Sequence, residues 1–275
     1  QQVLYLGSDM LSRTGFGVPT TWPLVFFELR IRLICEMMMS QLVLIHGPGA
    51  GGCSAGYQYQ LQHFPGSLAP DLPGHIDGES LSTVSEYTGW LRDWLHSRGR
   101  TEDLVLSGFT LGACIALQYA LDYPDEVVGL LLMTIAMRPK KRIRRGLEFR
   151  LNAAKDPIIH EEWIEAMRHS QMFIAPELSN RLIECHRKVG PQSQYNDLIT
   201  IDNFDVRDRI SELKAPLTLI RGVDDPGKPA EYELEIHQAV PGSKYIKLEQ
   251  AGHFPMAERP DDINRELEKL MHSRY

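Results

Sequence analysis

The ten residues LVLSGFTLGA at 104–113 place a hydroxyl group in a context that suits nucleophilic attack. They predict a buried strand, a tight turn flanked by Gly108 and Gly112, and then a helix. This is the layout of a nucleophile elbow, G-x-S-x-G, which presents its central side chain at the top of a sheet. Thr110 stands at the centre, where the pattern has serine. The stretch therefore indicates nucleophilic catalysis and, at the same time, puts the nucleophile in question.

A candidate acid and a candidate base follow the elbow, each directly after a predicted strand. The acid lies in GVDDP at 222–226 and the base in AGHFP at 251–255. Ahead of the elbow, HGPGAGG at 46–52 is a glycine-rich turn whose backbone N–H groups could face a developing oxyanion. Taken singly, an aspartate in a turn is more often a cap or turn former. The order of nucleophile, acid and base along the chain gives the set its meaning.

These motifs need a sheet that brings strand ends together. Strands are predicted at 42–45, 104–106, 127–133, 217–220 and 245–248, and helices at 84–96, 230–240 and 260–272. This alternation predicts an α/β fold with a mainly parallel, doubly covered sheet. The helical, charged segment 138–212 interrupts it, and we expect it over the strand ends, where ligands bind in such sheets.

The first 38 residues fit the pattern least. Residues 27–33 alternate between apolar and charged side chains, which is typical of a half-buried strand. The three methionines at 37–39 equally suit a translation start. Residues 1–38 are therefore either an N-terminal extension or edge strands.

Over roughly residues 40–272 the sequence resembles the α/β-hydrolase superfamily, and in particular its small, cofactor-independent, esterase-like members. The resemblance is carried by LIHG at 44–47, APDLPGH at 69–75, DNFDVRD at 202–208 and AGHF at 251–254. It implies a sheet of the eight-stranded type with a core of residues 39–137 and 213–275. Residues 138–212 would then be a helical lid, and no cofactor or metal is implied.

The resemblance also implies a role for each site residue. Thr110 takes the nucleophile's place, Asp225 the acid's and His253 the base's. Asp225 matches better than Asp224 because it directly precedes the proline of the family's G-x-x-D-P pattern. This arrangement is a Thr-Asp-His variant of the usual triad.

Two backbone N–H groups would form the oxyanion hole. The first belongs to Leu111, which follows the nucleophile. The second usually lies just after the His-Gly pair, but Pro48 has no N–H there. Gly49 is expected to serve in its place.

Thr110 leaves three functions open. The first is hydrolysis of a carboxylic ester, thioester or similar acyl substrate, with Thr110 as an adapted nucleophile. The second is a catalytically impaired relative that binds a ligand, since a β-branched side chain is stiff and adds a methyl group beside the attacking oxygen. The third is a lyase-like enzyme in which His253 acts as a base and no acyl-enzyme forms. Fold alone does not choose between them.

The composition of the chain narrows the range of binding partners to expect. The net charge of −7, from 29 basic and 36 acidic residues, argues against nucleic-acid binding. The four cysteines show no metal spacing, which is typical of free thiols in a reducing cytoplasm. No apolar run is long enough to span a membrane, and no secretion signal is recognised. We expect a cytoplasmic protein that acts on a small molecule; the oligomeric state is not predicted.

The segment 138–212 bears on the substrate. Six of the eight residues at 138–145 are basic. Such a run usually forms a solvated helix face, and its alternative meaning is the steering of an anionic substrate. Trp163, Met167 and Phe173 are candidates for lining the substrate pocket from this segment.

Overall fold

Five parallel strands are neighbours in the sheet in the same order as in the chain. The computed structural model describes residues 41–48, 53–139, 144–226 and 229–272, which lie in one compact unit spanning residues 40–275. The predictions for residues 1–38, including the strand at 27–33, fall outside the described residues. The strands are β1 (Gln41–Ile45), β2 (Leu104–Phe109), β3 (Val127–Met133), β4 (Leu217–Gly222) and β5 (Lys244–Leu248).

Helices connect and cover the strands. They are α1 (Gln58–His63), α2 (Val84–His96), α3 (Leu111–Asp122), α4 (Arg144–Ala153), α5 (Pro157–Arg168), α6 (Pro176–Asn203), α7 (Glu231–Ala239), α8 (Pro255–Glu258) and α9 (Pro260–Met271), with short 3-10 turns at Ser54–Tyr57 and Ile210–Glu212. Strands and helices lie where the sequence pattern predicts them, although β2 runs three residues beyond Leu106. Helices α4, α5 and α6 all lie between β3 and β4, and we call them the 144–203 helices.

The outer edge of β1 carries a single further bridge. Leu68 pairs in parallel with Val43, and its backbone exchanges hydrogen bonds with Leu42 and Leu44 at 2.9 and 2.8 Å. Pro70 follows two residues later, and a proline cannot donate to the ladder. The described residues therefore contain five strands and this bridge, fewer than the eight that the resemblance implied.

Both faces of the sheet are covered by apolar side chains. Val43 and Ile45 of β1 contribute to one buried cluster, together with residues of α2 and α3. Leu42 and Leu44 point the opposite way, because successive strand residues alternate, and belong to a second cluster with α9. A sheet buried on both faces is the setting that parallel strands require.

Helix α6 is broken near its middle. Gly190 has φ +78° and ψ +166°, which lies outside the helical region and favours glycine, and Pro191 follows it. Proline lacks the N–H that would continue the helical ladder. The helix therefore consists of two halves, 176–189 and 191–203. No helix in the described part of the chain is long and apolar enough to cross a bilayer.

Candidate active site

The turn between β2 and α3 holds Thr110 in a strained backbone conformation. Its φ of +48° and ψ of −104° are outliers for a β-branched residue. Close approach explains both glycines of the elbow: a Cβ on Gly108 would collide with Gly112, and a Cβ on Gly112 would collide with the carbonyl group of Ile45. The N–H of Thr110 donates to the carbonyl of Met133 at 3.1 Å. The neighbouring strands thus fix a turn that would otherwise relax.

The hydroxyl of Thr110 is buried and unpaired. The residue is 4% exposed, and Oγ1 has no hydrogen-bond partner among the described residues. Oγ1 lies against Gly47, in the loop after β1, since a Cβ on that glycine would overlap it. The hydroxyl therefore does not donate to His253 in this arrangement. Leaving such a group unsatisfied costs about 1–3 kcal/mol, which a bound ligand could offset.

His253 and Asp225 form the second half of the site. The Nδ1 atom of His253 lies 2.9 Å from Oδ2 of Asp225, whose side chain is only 3% exposed. The imidazole also packs edge-on against Phe109, with ring centroids 5.2 Å apart. Because Nδ1 faces the carboxylate, a proton exchanged between His253 and a substrate would pass through Nε2.

The loops after β4 and β5 are tied together by their backbones. The N–H of Val223 donates to Leu248 at 3.0 Å, and the N–H of Asp224 donates to Ala251 at 2.9 Å. This pairing leaves Asp224 exposed and turns the next carboxylate, that of Asp225, toward His253. The geometry thus distinguishes the two adjacent aspartates.

Glu258 supports the His253 loop and was not singled out by the sequence analysis. Its Oε2 accepts hydrogen bonds from the N–H groups of Gly252 at 2.6 Å and Phe254 at 3.3 Å, on either side of His253. Burial raises the pKa of Glu258 to about 7, despite these donors. A glutamate in the helix that follows the histidine was the signal available in the sequence.

We expect Glu258→Gln to change the pH dependence of stability. The pKa of Glu258 rises from 4.5 to about 7 on folding. The stability that the protonated side chain contributes is therefore complete below pH 4.5 and is lost as pH rises through 7. A neutral glutamine avoids that loss. Relative to the wild type, the free energy of unfolding of Glu258→Gln should increase between pH 5 and pH 8 by on the order of 2 kcal/mol, since one pKa unit corresponds to about 1.4 kcal/mol.

Urea denaturation at the two pH values measures this difference. Glu162→Gln is the matched control, because Glu162 is exposed on α5. Its difference from the wild type should stay constant with pH. The same constancy in Glu258→Gln would show that the buried carboxyl group does not titrate in this range.

A cavity of about 210 Å³ connects these groups to the 144–203 helices. Thr110, Asp225 and His253 all line it, together with Trp163 and Met167. Phe173, the third residue expected there, does not line it and is 41% exposed. It lies in the turn between α5 and α6, and a role for Phe173 in contacting substrate stays a prediction.

The far wall of the cavity is more polar than the sequence predicts. Arg150, His186 and Gln194 line it. The Nε2 of Gln194 donates to the backbone carbonyl of His186 at 2.6 Å, and its Oε1 lies 3.2 Å from Nε2 of His160. The break at Gly190 folds Gln194 back onto His186. Helical periodicity does not reveal such a contact.

The candidate oxyanion loop is positioned by His46. The N–H of Leu72 donates to Nε2 of His46 at 2.9 Å, so Nδ1 carries the proton and donates to the carbonyl of Gly47 at 2.9 Å. His46 is therefore a neutral bridge between two loops. Leu111 is the first residue of α3, where backbone N–H groups lack partners within the helix. Gly49, the other expected donor, falls outside the described residues.

His75 lies apart from this cavity in a buried ion pair. Its Nε2 is 2.8 Å from Oδ2 of Asp197 on α6, and both side chains are fully buried. Burial opposes protonation, but the neighbouring carboxylate outweighs it and raises the pKa of His75. The hydroxyl of Tyr87 donates to the other oxygen of Asp197 at 2.9 Å. His75 therefore attaches the C-terminal half of α6 to the loop that precedes α2.

The basic run at 138–145 is described only in part. Arg138 pairs with Glu235 on α7 at 2.7 Å and lies over the ring of Tyr232. Its guanidinium group is thus engaged in a structural contact. The segment 140–143 lies outside the described residues, so the steering of an anionic substrate stays a prediction.

Comparison with known proteins shows which family the chain resembles. Residues 42–266 match the model of the alpha/beta hydrolase family. A 2-hydroxy-6-oxo-6-phenylhexa-2,4-dienoate hydrolase of Comamonas testosteroni is 26% identical over 250 residues, covering 82% of this chain and 85% of the relative. A putative carbamate hydrolase, RutD, of Klebsiella pneumoniae is 28% identical over 252 residues, with 81% and 88% covered.

A solved structure shows the same fold. A thermophilic esterase from Thermogutta terrifontis, with malate bound, superposes with a TM-score of 0.70 at 22% identity. The superposition covers 84% of this chain and 90% of the esterase.

Proposed function

Since the chain belongs to the alpha/beta hydrolase family, we propose that it hydrolyses a carboxylic ester, a thioester or a similar small acyl substrate through Thr110, His253 and Asp225. One observation carries the proposal. The His253–Asp225 pair and the unpaired hydroxyl of Thr110 meet at the wall of one cavity. Both relatives named above are hydrolases, which supports the reaction class without specifying the substrate.

The proposed reaction follows the logic of an activated hydroxyl nucleophile. Oγ1 of Thr110 attacks the acyl carbon while Nε2 of His253 takes its proton. Asp225 stabilises the imidazolium that forms and holds the ring in place through Nδ1. His253 then donates the proton to the leaving group, and a water molecule activated by the same nitrogen releases the acid.

The proposed oxyanion hole combines the N–H of Leu111 with that of Gly49. These donors would stabilise the negative charge that develops on the carbonyl oxygen. The bridge that His46 forms between Gly47 and Leu72 supports this role, because it fixes the start of the loop that leads to Gly49.

The proposed attack requires Oγ1 to move. In the described arrangement the hydroxyl rests against Gly47 rather than bonding to His253. Catalytic hydrogen bonds are often long or incomplete without substrate and tighten in the complex. A substrate carbonyl between Leu111 and the loop after β1 would displace Oγ1 toward Nε2 of His253.

We further propose that residues 138–212 act as a lid on a core of 39–137 and 213–275. Trp163, Met167 and Arg150 reach the cavity from the 144–203 helices and would contact the acyl group. A cavity of about 210 Å³ suits a small substrate.

Covalent labelling tests the nucleophile directly. We expect a fluorophosphonate to add one phosphonyl group to the wild type, and peptide mass mapping to locate it on Thr110. Thr110→Val is the matched control, because it keeps the branched shape and removes the hydroxyl. Its intact mass should stay unchanged under the same conditions.

Three other outcomes would overturn the proposed chemistry. An adduct on another residue would assign the nucleophile elsewhere. Proton exchange on a carbonyl substrate that is lost in His253→Ala, with no adduct in the wild type, would support the lyase-like use of the site. Ligand binding without adduct or exchange would support a catalytically impaired relative.

A further inference from the structure

Two cysteines, Cys53 and Cys185, lie where the loop after β1 packs against α6. Cys53 precedes the 3-10 turn Ser54–Tyr57 and is 3% exposed. Cys185 lies in the first half of α6 and is partly exposed. The 3-10 turn packs against α6, and the two cysteines belong to the same apolar cluster. Both are free thiols in this structure.

Each of the two thiols shifts the pKa of the other, and their surroundings make the two shifts opposite in sign. Hydrogen bonding to Cys53 lowers the pKa of Cys185 to about 7, although burial acts in the opposite direction. Arg181 and Lys188, four residues before and three residues after Cys185 on the same helix face, add to the lowering. The same thiol contact, together with burial, raises the pKa of Cys53. Asp71 also lies near the pair and opposes the ionisation of both.

We propose that Cys53 and Cys185 are a redox modification site, which a hydroperoxide converts into a disulfide bond between the loop after β1 and α6. Cys185 is the attacking group, because it is the partly exposed member and lies between two cations. Cys53 is the resolving group, already held beside it by the packing of the 3-10 turn.

The proposed reaction balances with hydrogen peroxide as its added reactant. The Cys185 thiolate attacks one oxygen of hydrogen peroxide, the O–O bond breaks, and a sulfenic acid and water form once the leaving hydroxide is protonated. The sulfur of Cys53 then attacks the sulfenic sulfur; an S–S bond forms, the S–O bond breaks, and a second water leaves with the thiol proton. Two sulfur atoms are oxidised and one peroxide is reduced.

The bond would affect the cavity from two sides. Cys53 lies five residues after Pro48, which lines the cavity, and Cys185 directly precedes His186 in the cavity wall. A disulfide would fix these two segments to each other. If the proposed hydrolase function holds, oxidation should reduce turnover by restricting entry and adjustment of the substrate.

Mass spectrometry of the full-length protein tests the site without relying on activity. After treatment with hydrogen peroxide and blocking with N-ethylmaleimide, the unreduced digest should contain a peptide that links Cys53 to Cys185. Cys53→Ala should instead leave a sulfenic acid on Cys185 that dimedone traps, and Cys185→Ser should yield neither product. Cys35→Ser is the matched control and should form the linked peptide as the wild type does.

The outcomes of this experiment distinguish the disulfide proposal from the proposed hydrolase function. A linked peptide in the wild type supports it whether or not the protein hydrolyses an ester. Where turnover is measurable, it should fall on oxidation and return with dithiothreitol, whereas Cys185→Ser should keep its turnover throughout. Oxidation of Cys185 to sulfinic acid without a linked peptide, or a link from Cys185 to any other cysteine, would overturn the proposal.

Discussion

His253→Ala should reduce hydrolysis of a short-chain aryl ester by at least about 10²–10⁴-fold, the usual contribution of general acid–base catalysis. In the proposed mechanism the Nε2 of His253 both activates Thr110 and protonates the leaving group. Among the residues that line the described cavity, His253 is the imidazole whose Nδ1 lies within hydrogen-bond distance of Asp225. The pH dependence of kcat/KM should accordingly rise across the range in which an imidazole loses its proton, and the variant should lose this limb.

His63→Ala is the matched control for that experiment. His63 lies on the surface in an exposed pair with Glu268, so turnover and the pH limb should persist. His75→Ala is less suitable as a control, because it would leave Asp197 buried without its partner, which costs about 3–5 kcal/mol. Hydrolysis that survives His253→Ala would mean that the measured esterase is a surface reaction or a contaminant.

Thr110→Ser should raise kcat by about tenfold or more. The backbone at position 110 has a positive φ that a β-branched side chain tolerates poorly, and strain of this kind costs about 1–3 kcal/mol. Serine keeps the nucleophilic oxygen and removes the methyl group, so Oγ can turn from Gly47 toward His253. A barrier lower by 1.4 kcal/mol corresponds to about a tenfold faster step.

The comparison uses kcat for the aryl ester and the melting temperature of each variant. Thr110→Val keeps the branched shape without the hydroxyl, and it should be inactive but at least as stable as the wild type, because it removes a buried, unpaired polar group. Thr110→Ser with an intact fold and unchanged kcat would place the limiting step elsewhere. The loop after β1, where Pro48 offers no N–H, would then be the next segment to test.

The sequence predicts the order of the elements well because local patterns decide it. Continuous apolar runs and glycine-flanked turns locate β2, β3 and β4 and the elbow between β2 and α3. The relation between Asp225 and His253 follows from their positions after consecutive strands, which end at one edge of a parallel sheet.

Other contacts depend on tertiary packing and have no local signal. Glu258 bonds backward around a loop, and Gln194 reaches the cavity only because α6 breaks at Gly190. Phe173 shows the converse. It is apolar and close in sequence to residues that line the cavity, yet its side chain is largely exposed in the turn between α5 and α6. Residue type predicts apolarity, but the direction of a side chain in an irregular turn depends on the whole fold.

The break at Gly190 divides one wall of the cavity between two helix halves, each of which is anchored to a different part of the fold. The first half of α6 carries His186 and packs against the 3-10 turn that follows Cys53. The second half carries Gln194 and is anchored by the ion pair of Asp197 with His75. Rotation about the backbone at Gly190 can change the angle between the two helix halves while both anchors stay intact. Such a motion would change the width of the cavity without unfolding either helix half.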